Sequence, residues 1–114
     1  MSGSNGGTGH FWVQRLTAIA LVPLTIWFCF SVASLPQMTH ATLRAWLSSP
    51  FNAALMLLVV GVGLYHAKLG LQVIVEDYIS DRSKQTIIIG AITMICALFA
   101  VIGIVSIFKL SLGA

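Results

Sequence analysis

Apolar residues fall into three long blocks along this chain, separated by short polar stretches. Residues 16–35 carry no charge, residues 50–75 are interrupted only by His66 and Lys68, and residues 86–108 are again charge-free. About 20 helical residues cross a bilayer core of about 30 Å, and every block reaches that length. None shows the alternation of a membrane β-barrel strand, and Pro23 and the scattered glycines are tolerated in membrane helices. The pattern predicts an all-α integral membrane protein with three transmembrane helices at 16–35, 50–75 and 86–108. The remaining segments read as a polar N-terminal tail (1–15), an outer loop (36–49) with a short interfacial helix over 41–47, a compact charged loop (76–85) and a C-terminal tail (109–114). Residues 1–9 lack the arginine-rich amphipathic pattern of an organellar transit peptide. The first block is too long for a secretory signal and has no small-residue cleavage site.

Composition agrees with the pattern. Charged residues make up 8% of the chain and hydrophobic ones 58%, whereas a soluble domain carries about 25% charged residues. Such a chain cannot coat a globule with polar surface, and it is too short for more than one domain. The net charge of +3 is spread out, without the basic runs that nucleic acid requires. The positive-inside rule separates Arg15, Arg82 and Lys84 on one side from Arg44 and Lys109 on the other. This favours a cytoplasmic N-terminus. Cys29 and Cys96 stand alone in different blocks, with no zinc, cluster or dithiol spacing, and read as small apolar residues. His40 reads as a solvated loop residue.

Candidate chemistry begins with His66, an ionisable side chain deep in an apolar block, which is costly unless it serves a function. Two readings stay open: a hydrogen bond to a neighbouring helix, or a metal or haem ligand. Helical geometry puts Gly63, His66, Gly70 and Asp77 on one face, and the two glycines remove side chains where a porphyrin would lie. With a single histidine in the apolar blocks, a six-coordinate haem needs its second ligand from another chain. Arg15 and His10 precede the first block. They are interfacial residues, or partners for haem propionates, which favour bidentate cations. Lys68 reads as a snorkelling lysine, with propionate contact as the alternative. Asp77 and Tyr78 lie 12 residues beyond His66, about 18 Å along a helix. A tyrosine there is an interfacial aromatic, or a donor to a quinone carbonyl beside an acid that helps deliver protons.

The run His66-Ala67-x-x-Gly70 followed by Asp77-Tyr78, with Gln14-Arg15-Leu16-Thr17-Ala18 opening the first helix, resembles the small cytochrome b membrane-anchor subunit of bacterial succinate dehydrogenase (respiratory complex II). The resemblance spans nearly the whole chain, although the third block matches only as an apolar span. It implies a multi-pass anchor in the bacterial inner membrane, forming a helical bundle with a second membrane-anchor (cytochrome b) subunit. By that resemblance His66 is one axial ligand of a haem b shared with the partner anchor, and Arg15 and His10 lie near its propionates. Tyr78 and Asp77 belong to the ubiquinone site. FAD and iron–sulfur clusters then reside in a flavoprotein subunit and an iron–sulfur subunit, and this chain is a non-catalytic anchor contributing to quinone reduction. A fumarate reductase anchor is the first alternative. A non-redox membrane scaffold or transporter subunit is the second, with His66 then structural or part of a proton relay.

Overall fold

A computed structural model describes residues 3–113, with side-chain surroundings from Gly9 onward. The chain forms four helices, α1 (Gly3–Ala33), α2 (His40–Leu47), α3 (Pro50–Tyr78) and α4 (Arg82–Ser111), and no strand among these residues. Three of them, α1, α3 and α4, carry the apolar blocks and are long and apolar enough to cross a membrane. They run up, down and up, giving a long dimension of 49 Å.

The helices extend past the apolar blocks. The polar tail expected over 1–15 is helical from Gly3 onward, so His10 and Arg15 sit within α1 and not before it; residues 1 and 2 lie outside the described residues. The charged loop expected over 76–85 shrinks to Ile79, Ser80 and Asp81, with Asp77 and Tyr78 in the last turn of α3. The C-terminal tail is helical through Ser111. Hydropathy marks the part of a helix that suits a bilayer. Once nucleated, a helix adds polar residues at little cost, so its ends outlast the apolar run.

Local signals explain the breaks. Pro36 follows α1, and the Thr39 hydroxyl caps α2 by accepting from the Thr42 N–H at 3.1 Å. Pro50 occupies the first turn of α3, where its missing N–H costs nothing. The Asp81 carboxylate caps α4, accepting from the Ser83 N–H at 3.1 Å and complementing the helix dipole.

Helix α3 is the centre of the fold. α1 and α4 both pack on it, and their backbones do not approach each other closely among the described residues. The result is an open layer of helices, not a closed bundle. Buried residues are few: Leu47, Ala53 and Ile107 form one cluster beneath α2, and Leu69 and Val75 lie towards the other end. Large apolar side chains such as Phe30, Met94 and Phe99 face outward, as expected where lipid or other membrane helices complete the packing.

Candidate functional site

The site forms where α1 crosses α3. The packed face of α1 runs through His10, Gln14, Thr17, Leu21, Leu24 and Phe28, which are partly buried, while Phe11, Leu16, Ile19 and Val22 point away. Spacings of three and four residues define one helical stripe, and its polar members cluster at the N-terminal end. The opposing face of α3 presents Gly63, His66 and Gly70. The register is antiparallel: Leu21 lies over Gly63, Thr17 meets His66 and the Gln14 amide lies over Gly70.

The two glycines beside His66 face α1. They lie against α1: a Cβ at Gly70 would stand 3.5 Å from Gln14 Nε2 and one at Gly63 4.0 Å from Leu21, both ordinary van der Waals contacts. Small residues at a helix crossing let backbones approach, and the segment that takes up this space is α1. Any flat group reaching His66 has to come from beside the crossing.

His66 is half-buried, and its Nδ1 lies 2.7 Å from the Thr17 hydroxyl oxygen. That hydroxyl also donates to the Gln14 carbonyl at 3.0 Å. Nε2 of His66 has no hydrogen-bond partner among the described residues. The two readings of His66 thus fall on different atoms of one ring: Nδ1 ties α3 to α1, and Nε2 is available to a ligand.

One turn further towards the N-terminus, a cavity of about 380 Å³ is lined by His10, Phe11, Gln14, Arg15, Gly70 and Val73. His10 Nε2 and Gln14 Oε1 are buried there without a hydrogen-bond partner among the described residues. A buried polar atom without a partner costs about 1–3 kcal/mol, so this pair fits a polar group entering from outside the chain. The Arg15 guanidinium lies over the Phe11 ring, 5.0 Å from its centroid. The structure brings His10 and Arg15 to one cavity, on the α1 side of α3 as His66 is.

Lys68 belongs elsewhere. It lines a different cavity, of about 310 Å³ between α3 and α4, with Tyr65, Thr93 and Cys96. Its ammonium donates to Gln72 Oε1 at 2.8 Å, and Gln72 Nε2 lies 3.4 Å from Glu76 Oε2. This ladder leads the charge towards the polar end of α3, as snorkelling requires. Tyr78 stands at that end and is 85% exposed, with Asp77 exposed beside it. Neither is brought into contact with His66.

Sequence reasoning passed over two residues of this site, Thr17 and Gln14, beyond their place in a family-like run. The signal was their spacing from His10, four and seven residues, which places three polar side chains on one stripe of an apolar helix.

Comparison with known proteins gives a family. Residues 2–103 match the model of the succinate dehydrogenase/fumarate reductase transmembrane subunit. The chain is 36% identical to the succinate dehydrogenase hydrophobic membrane anchor subunit of Rickettsia bellii, over 92% of this chain and 84% of that one. It is 32% identical to the subunit of the same name from Rickettsia conorii, over 94% and 86%. The corresponding Paracoccus denitrificans protein is 28% identical over 100% and 88%. With an apolar three-span architecture and a family match across most of its length, this multi-pass chain belongs to the succinate dehydrogenase/fumarate reductase transmembrane subunits.

Proposed function

We propose that the chain is one of two membrane anchors of a bacterial succinate:quinone oxidoreductase, holding a shared haem b through His66 and forming part of the ubiquinone site through Tyr78 and Asp77. It lies in the inner membrane with its N-terminus cytoplasmic. The flavoprotein and iron–sulfur subunits dock at the end that carries Tyr78. The observation that carries this reading is His66 itself: a half-buried imidazole in a spanning helix, with Nδ1 engaged by Thr17 and Nε2 without a partner among the described residues.

The residues fit the group. A haem b, when bound, supplies a one-electron store between the soluble subunits and the quinone. His66 Nε2 would hold it from this chain. His10 Nε2, without a partner among the described residues, and the neighbouring Arg15 guanidinium would receive its carboxylates, where bidentate cationic donors are favoured. Phe11, under the guanidinium, limits the directions in which Arg15 can point.

Tyr78 and Asp77 work at the C-terminal end of α3, the end to which His10 and Arg15 also belong, at the boundary where a quinone ring enters from the lipid. The phenol donates a hydrogen bond to a quinone carbonyl and orients the ring. The Asp77 carboxylate, exposed to solvent, can take a proton from water and pass it on as the carbonyl oxygens are reduced to hydroxyls. The charge partition supports this orientation: the Tyr78 end holds Arg15, Arg82 and Lys84, the opposite end Arg44 and Lys109.

The test is purification of the complex through a tag on this chain. Co-purifying flavin and iron–sulfur subunits, with a low-spin b-type reduced-minus-oxidised spectrum, are expected. A stable assembly with neither haem nor those subunits would sink the reading in favour of a non-redox scaffold.

A further inference from the structure

The contact between Thr17 and His66 does more than pack two helices. We infer that Thr17 is a positioning residue that fixes the tautomer of His66, holding the ring proton on Nδ1 and leaving the Nε2 lone pair free for a metal. The inference rests on the reading of His66 as a haem ligand.

A neutral imidazole carries one N–H, and only the other nitrogen can ligate. Two proton arrangements are compatible with 2.7 Å between Nδ1 and the Thr17 oxygen. In the first, Thr17 donates to Nδ1, which makes one hydrogen bond and leaves an N–H on Nε2 without a partner. In the second, Nδ1–H donates to Thr17, and the Thr17 hydroxyl donates onward to the Gln14 carbonyl at 3.0 Å. That relay makes two bonds. In an apolar span, where water cannot compensate, two bonds outweigh one. The second arrangement is therefore favoured before any metal arrives, and it has the lone pair on the nitrogen without a partner.

Threonine suits the role. Its χ1 in a helix is restricted, and a bond from Oγ1 back to the i−3 carbonyl selects one rotamer. Here that bond reaches Gln14, so the hydroxyl's lone pair is already aimed at His66 when α1 meets α3. Gln14 and Leu21, one turn to either side of Thr17 on α1, lie against Gly70 and Gly63. An acceptor on Nδ1–H also makes the ring a stronger donor to iron, which favours the ferric state and lowers the potential.

Thr17→Val keeps the shape and removes the hydroxyl, and Thr17→Ser keeps the hydroxyl. Each would be compared with wild type and His66→Ala as the purified complex, by redox titration of the haem and by haem-to-flavin ratio after prolonged washing. We expect Thr17→Val to raise the haem potential and to weaken haem retention by about 10–100-fold, the usual scale for losing such a partner, with Thr17→Ser close to wild type. If Thr17→Val prevents assembly, Thr17→Ala carries the same comparison. Should His66→Ala destroy the low-spin spectrum while the hydroxyl-free variant keeps the wild-type potential and retention, Thr17 has no such role and His66 remains the ligand. A Thr17→Ser effect equal to that of Thr17→Val would also overturn the inference. A wild-type spectrum in His66→Ala would remove the reading beneath it.

Discussion

Gly103 of α4 lies so close to Val60 of α3 that a Cβ on the glycine would stand 2.9 Å from Val60 Cγ1. This close approach joins the two helices in the part of the fold where Leu47, Ala53 and Ile107 are buried, with Val60 packed against that cluster. Val60 is β-branched and restricted in χ1, so it cannot simply rotate out of the way.

Gly103→Ala is therefore expected to destabilise the α3–α4 pair. Overpacking of this kind costs about 1–3 kcal/mol, and the better helix propensity of alanine offsets about 1 kcal/mol of it. Gly90→Ala, with nothing within 4 Å of the added Cβ, should be neutral or slightly stabilising. Thermal loss of assembled complex in detergent would compare the two. Equal stability of both variants would mean that α4 shifts freely on α3.

Much of this architecture is legible in the chain because a bilayer demands it. Apolar blocks of about 20 residues or more have one economical solution in lipid, and they form α1, α3 and α4. What the blocks hide is which face of each helix packs. Where every face is apolar, hydropathy carries no direction, and the face of α1 is marked only by His10, Gln14 and Thr17. The glycines around His66 were legible as small residues but not as the seat of α1, since the same small residues admit either a helix or a flat ligand. Helix ends were misplaced for a related reason: backbone hydrogen bonding continues where apolar character stops, as at Arg82 and Asp77.

His66→Ala should abolish the normal low-spin haem signal while leaving insertion of the chain intact. The substitution removes the Nε2 ligand and the Nδ1 contact with Thr17 together, so α1 loses one tie to α3, worth about 1 kcal/mol. On the proposed sharing of the haem with a partner anchor, the partner's ligand would retain some haem in a five-coordinate state. Ligation spectroscopy, alongside haem content, is thus the informative measurement. An unaltered low-spin spectrum would show that the iron is held by other residues.

Arg15→Leu is expected to lower haem retention or change its potential, because the cavity shared with His10 loses its cation. Arg15→Lys should do less harm, although it forfeits the bidentate geometry. Both variants lose the guanidinium over Phe11, so a defect confined to haem in Arg15→Leu, partly restored in Arg15→Lys, separates propionate binding from simple anchoring. Identical haem behaviour in both and wild type would leave Arg15 as an interfacial residue.

Tyr78→Phe is the sharpest test of the quinone site. Tyr78 is 85% exposed and lies in the last turn of α3, so the ring supports little of the fold within this chain, and removing its hydroxyl should spare assembly and haem content. What disappears is one donor to a quinone carbonyl. In a partly dry site that bond is worth about 0.5–1.5 kcal/mol, and more if it strengthens as negative charge builds on the oxygen during reduction. Quinone reduction should therefore fall several-fold, since about 1.4 kcal/mol corresponds to a factor of ten in rate. Succinate oxidation by a dye that accepts electrons ahead of the quinone site should persist, because the flavoprotein chemistry is untouched. Asp77→Asn should add a proton-supply defect of its own, slowing quinone reduction while the Tyr78 hydroxyl still holds the ring. Equal quinone reduction by wild type and Tyr78→Phe, at matched haem and flavin content, would reduce Tyr78 to an aromatic at the membrane boundary.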